Sequence, residues 1–139
     1  MSQEFTHTFR VRFAETDQMG IVHHSVHAVW LEAARVEWLR ARGLSYRELE
    51  DAGVSLAVSE LQVRYRHAAR FDDLLGISAR LAENRSRRAV FEYTIARVDD
   101  GRLIGTARTV HIPVDRNGRA IRLPGDWLAT LDGLPDGSD

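Results

Sequence analysis

From Val26 to Arg42 the apolar residues fall on two stripes of one helix rather than on one. Val26, Val29, Trp30, Ala33 and Val36 make the first stripe, and Leu31, Ala34, Trp38 and Leu39 the second. Only Glu32, Arg35, Glu37, Arg40 and Arg42 interrupt them. A surface helix needs a single apolar stripe, so this pattern demands burial on several sides. A sheet wrapped around one helix supplies that. Ser25 reads as the helix N-cap and Gly43 as its C-terminal stop.

The rest of the chain offers the sheet. Phe5, His7, Phe9, Val11 and Phe13 alternate with Thr6, Thr8, Arg10 and Arg12, the period of a half-buried strand. After the long helix, Ser45-Tyr46-Arg47-Glu48 is a capping box for a short second helix that ends at Gly53. A long strand follows. Its apolar residues sit on even positions through Val58 and on odd ones from Leu61, so a bulge or bend is expected at Ser59-Glu60. Asp72-Asp73 turns into a meander of strands. The turn Glu83-Asn84-Arg85-Ser86 precedes Val90 to Val98, and Asp99-Asp100-Gly101 leads to Leu103 through Val114. Pro124 opens a short helix with Trp127, Leu128 and Leu131, and residues 132–139 have the composition of a disordered tail. The expected fold is α+β, about five antiparallel strands wrapped around one long central helix, in a single domain spanning residues 1–131. Open sheet edges commonly pair across a two-fold axis, which points to a homodimer or homotetramer.

Composition removes several functions. All nineteen cations are arginine against twenty carboxylates, so the net charge of −1 argues against a general nucleic-acid partner. With no cysteine, disulfides and thiolate chemistry are excluded, and a cytoplasmic protein is expected. Residues 1–4 do not begin a signal peptide, and no apolar run approaches the ~20 residues of a membrane span. No membrane partner and no cofactor are expected.

The stretch Ala14-Glu15-Thr16-Asp17-Gln18-Met19-Gly20-Ile21-Val22-His23-His24-Ser25 joins the first strand to the helix. A carboxylate there can attack an acyl carbon or orient water, and helix-start amides can hold the developing oxyanion. On spacing alone, a plain turn or cap role for Asp17 is the commoner one. Gly20 suits a special backbone conformation or a close approach. His23, His24 and His27 share helical spacing, but no acid completes a zinc motif, so no metal is expected. Glu32 with Arg35, and Glu37 with Arg40, read as i, i+3 ion pairs rather than catalytic acids. Arg85, Arg87 and Arg88 are either phosphate ligands or a solvated turn. Ser59, at the bend, either lines a site or has no role.

The same residues carry a resemblance. Arg12-Phe13, Thr16-Asp17, Gly20-Ile21-Val22 and His23-His24 resemble the signature of hotdog-fold acyl-CoA thioesterases of the 4-hydroxybenzoyl-CoA thioesterase type. Trp30 to Arg35 resembles that family's helix, and Arg64-Tyr65-Arg66 through Asp73 its second strand and turn. The resemblance implies hydrolysis of an acyl-CoA to free acid and CoA, with Asp17 as nucleophile or general base. It implies that N–H groups of Val22, His23, His24 and Ser25 polarise the thioester carbonyl. His24 could also orient water or touch the acyl group, and Arg85, Arg87 and Arg88 fall where CoA phosphates lie, often on the partner subunit. Val26 stands where many members carry Asn, and His23 and His27 where many carry Tyr. Two rival expectations share the fold: a non-catalytic acyl-CoA binding module, and an enoyl-thioester hydratase.

Overall fold

Strand β1, Glu4–Arg10, alternates exposed and half-buried residues along its length, with Phe5, His7 and Phe9 turned inward. It stops three residues short of the sequence pattern. Val11 still exchanges backbone hydrogen bonds with Asp72 and Asp73, but Phe13–Glu15 then close into a 3-10 turn that leaves Phe13 75% exposed. The computed structural model describes residues 4–125, 127 and 131.

Helix α1, Val26–Ala41, is followed by α2, Tyr46–Asp51, and then by β2, Ser55–Tyr65, β3, Leu74–Arg85, β4, Arg88–Arg97, and β5, Leu103–Val114. The strands form one antiparallel sheet in the order β1-β3-β4-β5-β2. This is the expected hotdog arrangement. Odd-numbered residues of β3 and β4 face the helix, pairing Ile77 with Ile95, Ala79 with Tyr93 and Leu81 with Phe91. Against them α1 buries Trp30, Leu31, Ala34, Trp38 and Leu39. Each large side chain so buried contributes about 1.5–3 kcal/mol. Trp38 meets Phe91 edge-on at 5.1 Å between ring centres.

Within the first apolar stripe Trp30 is buried and Val26 and Val36 are half-buried, but Val29 is 57% exposed and Ala33 is exposed, so this side of α1 is not covered within the chain. The register of β2 against β5 shifts between Val58 and Glu60, at the expected bulge. The β3–β4 turn is tighter than expected: pairing continues to Arg85↔Arg88, leaving Ser86 and Arg87 as the loop. A second bulge lies between Leu81 and Glu83. Ser45 Oγ accepts from Glu48 N at 3.3 Å, which starts α2 as its capping sequence requires.

Ser25 is a correction. It precedes α1, but its own backbone is helical and its hydroxyl makes no cap hydrogen bond. The hydroxyl is held instead by His23 Nδ1 at 2.8 Å. Glu37 does pair with Arg40, whereas Arg35 turns away from Glu32 and donates to Tyr93 Oη at 3.2 Å. The C-terminal helix falls largely, and the tail at 132–139 wholly, outside the described residues. Leu131 is buried in the core with Trp127 packed against it. No helix among the described residues is long and apolar enough to cross a membrane.

Candidate functional site

Asp17 heads a tight hairpin. Its N–H donates to Ile21 O at 2.9 Å, its carbonyl accepts from Gly20 N at 3.0 Å, and Thr16 bridges to Val22. Closing that turn requires Gly20 at φ +77°. A Cβ there would meet nothing within 4 Å, so the glycine supplies conformation and not close approach. One carboxylate oxygen of Asp17, Oδ1, accepts from Met19 N at 2.8 Å and Ile21 N at 3.2 Å. The other has no partner among the described residues, and the side chain is exposed. Backbone donors therefore fix the direction of the carboxylate while one oxygen stays free to react.

The amides at the helix start are not equivalent. Val22 N donates to Ala69 O at 2.9 Å and His23 N to Glu15 O at 3.0 Å. Ser25 N donates to His23 Nδ1 at 3.2 Å. These three N–H groups, all candidates for an oxyanion, are already used. That of His24 has no acceptor among the described residues, so a carbonyl placed there meets one open donor rather than four. The His24 carbonyl accepts from Tyr65 Oη at 3.1 Å and lies 3.1 Å from His27 Nδ1. Burial moves His27 below the ordinary imidazole range, the His24 and His23 carbonyls opposing and the His24 ring adding slightly. The neutral ring then places its proton on Nδ1, facing that carbonyl. His23 and His24 stack at 4.4 Å. Ile21, Val22, His24, His27 and Tyr65 border an open groove of about 290 Å³. Among the described residues no group of three His, Asp or Glu side chains could hold a metal ion.

Glu15, two residues before Asp17, is a buried anchor of this loop to which the sequence reading gives no role. It is 7% exposed. Oε1 accepts from Arg12 N at 2.7 Å, and Oε2 from Arg12 Nη2 at 3.1 Å and Trp30 Nε1 at 3.0 Å. Burial works to raise its pKa, but the donors from Arg12 N, Trp30 and the Arg12 guanidinium outweigh it and hold the carboxyl below its usual range. A glutamate three residues after an arginine, ahead of a helix, was the available signal.

Other expected site residues lie elsewhere in the chain. Tyr65 reaches His24, and Ser59 is six positions back along β2, roughly 20 Å at ~3.3 Å per residue. Ser59 donates to Val110 O at 3.3 Å. Strand β3 begins beside the Asp17 loop and ends at Arg85. Its twelve residues place the β3–β4 turn roughly 35 Å from that loop. There Arg85 and Arg88 both pair with Glu83 at 3.3 Å, while Arg87 is exposed and has no described partner. Within one chain Ser59, Arg85, Arg87 and Arg88 do not come to Asp17.

Comparison with known proteins gives this geometry a family. Residues 11–131 match the sequence model of the Thioesterase-like superfamily. The chain is 31% identical over 106 residues to the acyl-CoA thioester hydrolase YbgC of Escherichia coli O157:H7, covering 76% of this chain and 78% of that one. Among solved structures it is similar to the hypothetical protein TT1821 of Thermus thermophilus, with 43% identity, a TM-score of 0.87 and coverage of 93% and 95%. The DHNA-CoA thioesterase of Staphylococcus aureus is similar at 28% identity and a TM-score of 0.85, over 89% and 85%. With the sheet wrapped on α1 and the Asp17 hairpin at its N-terminus, the chain belongs to the thioesterase-like superfamily.

Proposed function

We propose that this member of the thioesterase-like superfamily hydrolyses the thioester of an acyl-CoA to free acid and CoA, with Asp17 as nucleophile or general base. The observation that carries the reading is the Asp17 carboxylate, one oxygen held by Met19 and Ile21 N–H and the other free, beside a helix start whose His24 N–H is open. In the general-base form, the free oxygen takes a proton from water as the water oxygen bonds the acyl carbon. The carbonyl electron pair moves onto oxygen facing the His24 N–H and returns as the C–S bond breaks and the thiolate takes up a proton. In the nucleophilic form, an Asp17–acyl anhydride precedes the water step. One good oxyanion donor is worth ~2.7–4 kcal/mol in such a transition state.

An exposed sheet edge supports a homo-oligomeric assembly. Among the described residues strand β2 is paired on its β5 side alone, and it exposes Val58, Leu61 and Tyr65 by about half. A second copy seated along β2 would cover them and bring a neighbour's residues to each Asp17. That is how Ser59 and the CoA-phosphate arginines Arg85, Arg87 and Arg88 join a site that is distant within their own chain. A dimer or a tetramer satisfies this, and Val58→Arg is expected to yield monomers by sedimentation. An unchanged mass would refute the β2 interface. We place the chain near the 4-hydroxybenzoyl-CoA type on its Asp17-to-His24 motif.

Thiol release from a panel of acyl-CoAs tests the activity, with wild type and Asp17→Asn side by side. The amide retains the oxygen that Met19 and Ile21 hold, so the fold stays while turnover drops by roughly 10²–10⁴. Near wild-type turnover by the variant would remove Asp17 from the chemistry. Saturable acyl-CoA binding with no thiol release from any substrate would instead leave a binding module.

A further inference from the structure

The Asp17 hairpin lies on the connection between β2 and β3, which has no helix or strand of its own. Val22 N donates to Ala69 O at 2.9 Å, Phe71 N donates to Gly20 O at 3.4 Å, and Ile21 bridges to Arg70. Arg70 is the middle of these contacts, and one residue holds both of its backbone groups. Asp73 N donates to Arg70 O at 3.1 Å, and Asp73 Oδ2 accepts from Arg70 N at 2.9 Å. Asp72 makes the bend at φ +68°, a left-handed conformation that aspartate tolerates better than most side chains. Its N–H donates to Val11 O at 3.0 Å, and Asp73 O accepts from Val11 N at 2.9 Å, so the turn is also tied to the residue that follows β1.

A second turn reaches the same carboxylate. Arg97, the last residue of β4, donates from Nη1 to Asp73 Oδ2 at 3.3 Å. Its Nε and Nη2 donate to Oδ1 and Oδ2 of Asp100, each at 3.1 Å. Such a two-pronged pair fixes direction as well as charge. The Arg97 backbone is pinned too: its N–H donates to Arg102 O at 2.9 Å and its carbonyl accepts from Gly101 N at 2.8 Å. Asp100 therefore aims the guanidinium, and the guanidinium directs one N–H at the connection on which the hairpin lies. Ion pairs near solvent contribute little to stability, so the consequence of this one is geometric: it fixes where residues 69–73 sit.

A continuous set of contacts runs from Arg97 to the candidate reactive group. Arg97 holds Asp73, Asp73 holds Arg70, Arg70 is bridged to Ile21, and Ile21 N donates to Asp17 Oδ1 at 3.2 Å. Ala69 of the same connection holds Val22, two residues before His24 and its open N–H. We propose that Asp73 and Arg97 are positioning residues: by holding residues 69–73 they set the Asp17 carboxylate against the His24 N–H. The proposal rests on the reading of Asp17 as the reacting carboxylate. A shift of about 1 Å in such a group costs on the order of 10²-fold in rate.

Arg97→Met removes the charge and keeps the reach of the side chain. It should lower kcat for acyl-CoA hydrolysis about 10–100-fold with KM nearly unchanged, and leave the urea midpoint close to wild type. Arg97→Lys keeps a cation within reach of Asp73 and should recover part of the loss. In an Asp17→Asn background, Arg97→Met should have no further effect, because a residue that acts through Asp17 cannot act without it. If Arg97→Met does not fold, Asp73→Asn, whose amide oxygen still accepts from Arg70 N, carries the same comparison. An undiminished kcat, or the same fold loss in both backgrounds, overturns the proposal. Amide exchange on the intact protein reads the link without turnover. Arg97→Met should speed exchange at Ile21 and Val22 by about tenfold relative to the central residues of β3 and β4. A uniform change across the sheet, or none at the hairpin, assigns Arg97 to general stability and overturns the proposal. If wild type releases no thiol from any acyl-CoA, the hydrolase reading falls, and the exchange ratio still decides whether Asp73 and Arg97 hold the hairpin.

Discussion

Trp30 Nε1 donates to Glu15 Oε2 at 3.0 Å, so a buried carboxylate ties the loop that carries Asp17 to the first turns of α1. The carbonyl of Glu15 also receives His23 N. One residue thereby positions both the hairpin and the helix start.

Trp30→Phe keeps a ring in place and deletes the donor. A buried acceptor left one bond short is expected to cost ~1–3 kcal/mol. The pH dependence has a definite sign. The folded Glu15 pKa lies below the ordinary 4.5, so its contribution is complete above about 4.5 and is lost as pH falls through the folded value. Losing the Trp30 bond moves the folded value up, and the acid transition should start at higher pH. Urea unfolding of both proteins between pH 3 and 7 reads this. Superimposable curves would show that the bond contributes nothing.

His111 has the opposite charge type and the same slope. Its pKa falls from 6.5 in the unfolded chain to about 4 in the fold, with burial as the main cause. Between those values the unfolded chain binds more protons, so stability drops as pH falls from about 6.5 to about 4. At ~1.4 kcal/mol per pH unit the loss is about 3 kcal/mol at most. His27 adds to it in the same sense. His111→Phe should flatten most of that slope in equilibrium denaturation, and a slope equal to wild type would contradict it.

Gly105 sits where β5 meets β2, and a Cβ there would come 2.6 Å from Arg64 O. The obstacle is backbone, so the strands must part. Gly105→Ala is expected to cost ~1–3 kcal/mol and to speed amide exchange in β2. Thermal unfolding and hydrogen exchange read the two effects, and a neutral variant would show that β2 is not held by this contact.

Gly20 isolates conformation from packing. With φ +77° and no neighbour, Gly20→Ala should cost ~1–3 kcal/mol through the backbone alone. Gly20→Asn should recover part of that, since asparagine tolerates left-handed geometry. Equal denaturation midpoints for the two variants would place the cost elsewhere.

Local rules fixed much of this molecule before any tertiary contact. The alternation of β1, the capping at Ser45, the parity change that becomes the Ser59 bulge and the length of α1 all depend on neighbours within a few residues. So does the Asp17 hairpin, whose donors come from Met19, Gly20 and Ile21. One departure is itself local: the Ser25 hydroxyl is held by His23, two residues back, and does not cap α1. The others come from distance along the chain. Val22 N was a candidate for an oxyanion, but Ala69 from a remote turn takes it. Arg85, Arg87 and Arg88 lie at the end of β3, in the turn after it and at the start of β4, and β3, which begins beside the Asp17 loop, is long enough to carry that turn to the far end of the sheet.

A sheet wrapped on a helix, with an acid at their junction, is legible in the amino acids alone because periodicity and turn chemistry are written locally. Which helix-start amide stays open, that Glu15 is buried against Trp30, and that a hydrogen-bond chain runs from Arg35 through Tyr93 and Thr109 to His111 Nε2 emerge with the folded chain. Each of those depends on which polar groups the fold brings within about 3 Å of one another, as with Arg35 and Tyr93, 58 positions apart in this chain.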